Sequence, residues 1–262
     1  MPPAPLRARN VTNTQVTLFQ IDNYGPWTVT PEPRREVDLQ TLQSRLYADL
    51  SQLVGNRGGY VFFTRFDNMI AVTNGLDETD LGLVQESVRN RYPVTLSVAT
   101  ATGTTPAQAL ADATELVQDR GSAQDKSRRE VLAGRTIDGE HRREDDVHVA
   151  HFDVVDATGK YTDQLDAFET FTHIEQGYAS LMRHLYTEYD GLAFFVGGDN
   201  VIATVPDLAE REYRAAIEHV QSDADVELQV GVGSDRTAHG AGMDAKHALE
   251  DCRALGTTVE FH

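Results

Sequence analysis

The chain has 262 residues, 40% hydrophobic and 24% charged, enough apolar content for one large or two small cores and too much for global disorder. Its formal net charge of −18 argues against non-specific binding to nucleic acid or anionic membrane, whose phosphates call for Lys and Arg. A nucleotide held through metal cations stays open. The only lysines are Lys126, Lys160 and Lys246, and such an acidic, lysine-poor surface is similar to that of proteins from salt-loving archaea. The single Cys252 forbids an internal disulfide and suits a reducing cytoplasm. No run of 18 apolar residues predicts a membrane span. Residues 1–14 are expected as a flexible leader, since Met1 to Asn10 lacks the apolar stretch of a signal peptide.

In chain order, Thr17 to Ile21 alternates as a strand. Glu36 to Val54 carries leucines at helical spacing. Gly58 and Gly59 end that helix and open a strand over Tyr60 to Thr64, and the turn pair Asp67-Asn68 returns it as Met69 to Thr73. Leu81 to Arg91 reads as a helix stopped by Pro93, Val94 to Ala101 as a strand, and Thr105-Pro106 as the opening of a last helix. Gly121 to Asp146 is polar and charged, a linker with room for a short helix. The sequence of elements then restarts. Val147 to Phe152 is a strand, Tyr161 to Tyr189 one long or broken helix, and Leu192 to Val196 with Val201 to Val205 a hairpin. Leu208 to Val220 is a helix, Val226 to Val232 a strand and Thr237 to Cys252 a helix in which Cys252 packs.

The restart is a duplication. The ten residues from Phe62 and the ten from Phe194 agree at six positions, Asp67-Asn68 falling on Asp199-Asn200, at an offset of 132. The same offset carries Val94 to Val98 onto Val226 to Val230, and Asp112 onto Asp244. An offset of 131 puts Asp22 on Asp153. The predicted fold is therefore α+β: two tandem ferredoxin-like βαββαβ units, residues 15–120 and 147–262, each with an antiparallel sheet, related by a pseudo-two-fold axis.

That topology makes strands one and three neighbours. Asp22 and Asp67 then share one end of the first sheet, and Asp153 and Asp199 share the same end of the second. Paired carboxylates at a sheet end suit Mg²⁺, and two such ions can clamp a triphosphate. Asp22, Asp67, Asp153 and Asp199 are the candidate metal ligands, and Gly197-Gly198 would let a bulky substrate approach the backbone. Taken alone, each Asp also reads as a turn residue satisfying local amides. His151 shares a strand face with Asp153 and is either a general base or a satisfied core histidine. Gly25 would let the loop from Asn23 to Thr30 turn N–H groups toward phosphate. Tyr24 or Trp27 could stack on a base, and Arg34 and Arg35 either touch phosphate or sit on a solvated helix start. Asp112 and Asp244 read as helix-surface residues. Arg236-Thr237 reads equally as an anion site or an ordinary cap.

Gly197-Gly198-Asp199-Asn200 on a hairpin, after a strand ending in Asp153, resembles the palm-type domains of nucleotidyl cyclases and GGDEF proteins. The run from Phe19 to Pro31, then Pro33-Arg34-Arg35-Glu36, resembles archaeal GTP cyclohydrolase III far more specifically. So do Leu42 to Leu50, Thr64 to Asn68, Gln85 to Pro93 and Gly121 to Asp125, so the resemblance covers nearly the whole chain after the leader. It implies a hydrolase that opens the guanine imidazole ring of GTP, keeps C8 as a formyl group and releases two phosphates. The implied product is the formylamino-pyrimidinone monophosphate that enters archaeal flavin and deazaflavin synthesis. The implied cofactors are Mg²⁺, two per site, and a monovalent activator such as K⁺. The expected catalytic residues are Asp22, Asp199 and His151. The expected substrate contacts are Asn23, Tyr24, Gly25, Trp27, Arg34, Gly197, Gly198 and Asn200. The expected partners are GTP and, as a homo-oligomer, further copies of the chain. The alternatives on the same scaffold are a nucleotidyl cyclase or a GTP-sensing module.

Overall fold

The computed structural model of the protein describes residues 13–65, 67–137 and 146–262. The leader up to residue 12 and residues 138–145 of the expected linker lie outside the described residues. The chain forms two sheets of five strands, ordered β2-β3-β1-β4-β5 and β7-β8-β6-β9-β10. The first half runs β1 (Thr14–Ile21), α1 (Tyr24–Val29), α2 (Glu36–Gly55), β2 (Tyr60–Phe63), β3 (Asn68–Val72), α3 (Glu78–Arg91), β4 (Leu96–Gly103), α4 (Pro106–Gln118) and β5 (Leu132–Gly134). The second runs β6 (Val147–Val154), α5 (Ala167–Tyr189), β7 (Leu192–Gly197), β8 (Asn200–Val205), α6 (Glu210–Ala224), β9 (Leu228–Asp235), α7 (Ala238–Leu255) and β10 (Val259–Phe261).

The central strands are covered on both faces, so their residues are buried almost without alternation. In the first half Phe19 and Ile21 pack with Leu46, Leu50 and Val54 of α2 and Leu81, Val84 and Val88 of α3. On the opposite face Leu18 and Ala99 meet Ala113 and Val117 of α4. The second half packs the same way around Phe152, Leu181, Tyr213 and Val230.

Two features depart from the sequence reading and one decides between its alternatives. The stretch Asn23 to Thr30, expected as a phosphate-facing loop, contains the short helix α1, and Gly25 lies against the Gln124 side chain. The segment Tyr161 to Tyr189 is broken: Thr158–Thr162 makes one π turn, and Asp166 starts α5 as the N-cap of a capping box. Each sheet also gains a short parallel edge strand, β5 on β4 and β10 on β9. β5 arises from the charged stretch read as linker, in which the described residues form no helix. Three-residue strands are too short to show periodicity.

The halves meet face to face around a pseudo-two-fold axis. Phe62 and Phe194, equivalent at the 132 offset, stack with centroids 4.2 Å apart and planes 2° from parallel. The polar contacts are reciprocal too. Ala107 N–H donates to the Asp190 carbonyl at 3.0 Å, and His239 N–H, its equivalent, donates to the Gly58 carbonyl at 2.9 Å. Each bond satisfies a first-turn donor of α4 or α7 that its own helix cannot reach. Thr105 and Thr237 cap the same two helices. Thr237 thus acts as an ordinary cap, and its helix start offers fewer free donors to an anion.

Candidate functional site

The end of each sheet gathers the carboxylates as the duplication predicts, in two different states. In the second half, Asp153 is the penultimate residue of β6 and is buried. One of its oxygens, Oδ2, accepts from Gln229 Nε2 and from Arg253 Nη2, each at 2.9 Å. Asp199 sits in the β7-β8 turn, where Gly197 (φ 112) and Gly198 (φ 66) adopt left-handed backbone that favours glycine. The ladder slips between Phe195 and Gly197, so a bulge sets the turn over the sheet end. The Asn200 side-chain amide donates to Asp199 Oδ1 at 3.0 Å. Burial pushes the Asp199 carboxyl above its usual range, and the Asp153 charge pushes it further; Arg253 and His151 oppose this. A carboxyl whose ionisation a neighbouring carboxylate disfavours is one that a cation would relieve.

His151 stands beside this pair, its Nε2 2.8 Å from Asn200 Oδ1. Burial pulls its pKa below the ordinary histidine value, against the pull of the Asn200 bond and of Asp153, so the ring is held neutral. A neutral ring whose Nε2 carries the proton donates to Asn200 Oδ1 and fixes that amide toward Asp199.

In the first half the same positions are closed. Asp22 Oδ1 accepts from Ser97 Oγ at 2.5 Å and lies 3.4 Å from Arg128 Nη2, while Oδ2 accepts from Thr95 Oγ1 at 2.8 Å and from Glu130 N–H at 2.9 Å. Arg128 is buried with it and also donates to Gln20 Oε1 at 2.7 Å and to the Gly121 carbonyl at 3.1 Å. Asp67 pairs with Arg65 at 3.0 Å. Gln20 Nε2 bonds Asn68 Oδ1 at 2.8 Å, the counterpart of the His151–Asn200 contact.

Beside Asp22 lies a cavity of about 260 Å³ lined by Asn23, Trp27, Tyr92, Thr95 and Arg129. Asn23 has left-handed backbone at φ 53, and its buried Oδ1 has no hydrogen-bond partner. Tyr24 stacks on Trp27 at 6.0 Å, and the Arg34 guanidinium lies 3.9 Å over the Trp27 ring. Arg35 is taken by Asp38 at 2.8 Å.

Most of the expected residues fall into two sets, while Asp67 is paired with Arg65 and Gly25 lies against Gln124. Asp153, Asp199, Asn200, His151 and the Gly197-Gly198 turn form one, and Asp22, Asn23, Tyr24, Trp27 and Arg34 form the other. Among the described residues no hydrogen bond or ion pair joins the sets. Arg128, Gln229 and Arg253 were not anticipated. The motif run ending at Asp125 pointed three residues short of Arg128, while Arg253 reaches Asp153 across 100 residues and leaves no local trace. Cys252 is buried in α7, as expected for a packing residue.

Comparison with known proteins bears on what this arrangement serves. The family model for GTP cyclohydrolase III matches residues 16–261. A curated protein of Halobacterium salinarum named GTP cyclohydrolase III 1 is 66% identical over 95% of this chain and 98% of its own length. One from Methanocaldococcus jannaschii, named GTP cyclohydrolase III, is 45% identical over 91% of this chain and 88% of its own. Among solved structures, the GGDEF domain of PA1120 from Pseudomonas aeruginosa aligns at a TM-score of 0.39 and 18% identity, covering 47% of this chain and 84% of that one.

Proposed function

The chain belongs to the GTP cyclohydrolase III family, and from that premise we propose how its residues serve the reaction. It is an enzyme that acts as a GTP cyclohydrolase. The acidic, lysine-poor composition accords with its halophilic archaeal relatives. No helix among the described residues is long and apolar enough to cross a membrane. We place the reaction in the cytoplasm.

Asp153 and Asp199 are the residues that would hold Mg²⁺, and the donor set fits it: hard oxygens, two carboxylates, one still unsaturated. The observation that carries this assignment is the geometry: Asp199 sits on a double-glycine turn next to Asn200, which lies opposite the buried Asp153 across the β6–β8 ladder. Bound there, the cation supplies charge for the triphosphate and Lewis acidity toward water. Gly197 and Gly198 leave room for phosphate against the backbone. Asn200, oriented by His151, donates toward Asp199 and the phosphate edge, which makes His151 a positioning residue. Arg253 holds Asp153 in place. K⁺ as activator and further copies of the chain as partners belong to the same proposal. In the latter, α5 exposes Phe168, Phe171, Met182 and Tyr186 along one side, beside a cavity of about 650 Å³, as the surface a second copy would cover.

One observation favours a second reading, in which the working pair is Asp22 and Asp67. The unpartnered Asn23 Oδ1 opens beside Asp22, next to Trp27 and Arg129, within the longest family-specific run. That reading requires Arg128 to leave Asp22.

The deciding experiment incubates the protein with GTP and Mg²⁺, following the ultraviolet spectrum and phosphate. Ring opening with two phosphates per GTP is expected. Pyrophosphate with a cyclic product would mean a cyclase, and binding without turnover a sensor. Asp153→Asn and Asp22→Asn then locate the site: full loss in the first with substantial activity in the second supports the second half, and the reverse supports the first.

A further inference from the structure

Away from both carboxylate pairs, Asp244, His247 and His262 each bring one ligand atom within 4.8 Å of the others. His262 Nδ1 is 3.8 Å from Asp244 Oδ1, and the rings of His247 and His262 are 5.5 Å apart at 59°. Bonds of roughly 2.0–2.2 Å in a tetrahedral site put donors about 3.4 Å apart, so small side-chain rotations close the set. Two imidazoles and one carboxylate suit first-row transition cations and are poorly matched to Mg²⁺.

The scaffold is rigid. Asp244 and His247 stand at i and i+3 on α7. That helix lies against β9 so closely that a Cβ at Gly231 would fall 2.1 Å from the Ala245 carbonyl, and one at Gly233 2.3 Å from the Ala241 carbonyl. His262 follows β10, which pairs with β9, and its own N–H donates to the Val232 carbonyl at 2.9 Å. Ligands from a locked helix and a locked strand pay little ordering cost.

The duplication supplies a control. The positions matching Asp244 and His247 at the 132 offset are Asp112 and Glu115. The residue after β5, where His262 follows β10, is Arg135. The first half thus keeps only the aspartate, and the set of nitrogen donors belongs to the second half alone.

We propose that Asp244, His247 and His262 form a binding site for a transition-metal dication of the Zn²⁺ or Co²⁺ class, which staples the end of β10 to α7 and leaves at least one coordination position open to water. The site is separate from the pair assigned to Mg²⁺, and it stands or falls independently of that assignment.

The test titrates Co²⁺ by calorimetry and visible absorption into the full-length protein, with Mg²⁺ in large excess to occupy oxygen-only sites. One Co²⁺ per chain with nitrogen-ligand absorption is expected, together with a rise in melting temperature. His247→Ala and His262→Ala should each weaken binding at least about tenfold and abolish that rise. GTP turnover with Mg²⁺ should stay at the wild-type rate in both. All three residues are partly or largely exposed, so the variants should fold, and His262→Gln serves where His262→Ala does not. Absence of Co²⁺ binding, or equal affinity and spectrum in wild type and the His247→Ala/His262→Ala double variant, would overturn the proposal.

Discussion

The two halves place the same carboxylates at the same end of the same sheet and then treat them oppositely. Asp22 is filled by two hydroxyls, a backbone N–H and a buried guanidinium. Asp153 accepts on a single oxygen, from Gln229 and from an Arg253 side chain that is 43% exposed. The turn differs to match. Where the second half has Gly197-Gly198, the first has Arg65-Phe66, and its Asp67 is neutralised by Arg65. One copy has become a polar plug within the structure while the other keeps an unsaturated acidic pair. Duplication preserves backbone geometry easily, because the core positions repeat. Whether a carboxylate is available for chemistry is decided by what surrounds it: Ser97 and Gln229, equivalent at the 132 offset, each donate to their own aspartate, while only the first half adds the Arg128 guanidinium and the Glu130 N–H.

The sharpest break of this comparison is an alanine at each strand-end aspartate. Asp22→Ala strands Arg128, whose side chain is 3% exposed, in the interior. Leaving a buried charge unpaired typically costs about 3–5 kcal/mol. Asp153→Ala frees a guanidinium that already reaches water, and the loss should be about 1 kcal/mol or less. Catalysis should show the reverse order. Losing a cation ligand removes several kcal/mol of charge stabilisation, so Asp153→Ala should lower kcat by about 100-fold or more. Urea unfolding and initial rates on the same two proteins measure both. Equal losses of stability in the two variants would refute the plug.

The fold was legible because the repeat wrote it twice. Phe62 to Ala71 over Phe194 to Ala203 fixed both hairpins, and the glycines, prolines and caps bounded the helices. The edge strands escaped because β5 and β10 have three residues each and lie in polar or terminal sequence. The aspartates were legible for the same reason as the fold. Their states were not: Arg128 reaches Asp22 across 106 residues and Glu130 supplies a backbone donor, and neither leaves a spacing that a sequence can show. The stretch from Asn23 to Thr30 was read as a loop where α1 forms, because Gly25 signals a permissive backbone equally well in a turn and at a close contact, here with Gln124.

The axis itself gives a smaller effect. Phe62 and Phe194 are each other's stacking partner, so a double-mutant cycle with leucine at each should return a coupling of about 0.5–1.5 kcal/mol. The symmetry is broken by one neighbour. Tyr60 stands edge-on to Phe62 with centroids 6.0 Å apart, while the counterpart of Tyr60 at the 132 offset is Leu192. The Phe62 substitution should therefore cost more than the Phe194 one, by about 0.5–1.5 kcal/mol, and equal costs would mean that the Tyr60 contact adds nothing.

The smallest effect separates two chemically different solutions to one contact. His151 and Gln20 occupy equivalent positions, and each places a side-chain nitrogen 2.8 Å from an asparagine Oδ1. His151→Gln therefore copies the first half into the second, and it should keep Asn200 oriented and leave most of the GTP turnover intact. A large fall in kcat would make His151 a proton carrier. Stability should respond to pH in a fixed direction. Burial holds the folded His151 below the ordinary histidine value, near 6.5 in an unfolded chain. As pH falls through about 6.5, the unfolded state takes up the proton first, so the wild type loses stability on acidification. His148 and His184, also lowered by burial, act in the same direction. The raised Asp199 acts in the opposite one, because the folded state binds its proton first as pH falls toward the carboxylate range. Those contributions persist in the variant, so the difference between the two unfolding curves isolates His151. Urea midpoints at pH 7.5, 6.5 and 5.5 should show the shallower decline in His151→Gln. Parallel declines would place His151 in a site that admits its charge, and the neutral, Asn200-orienting ring would have to be abandoned.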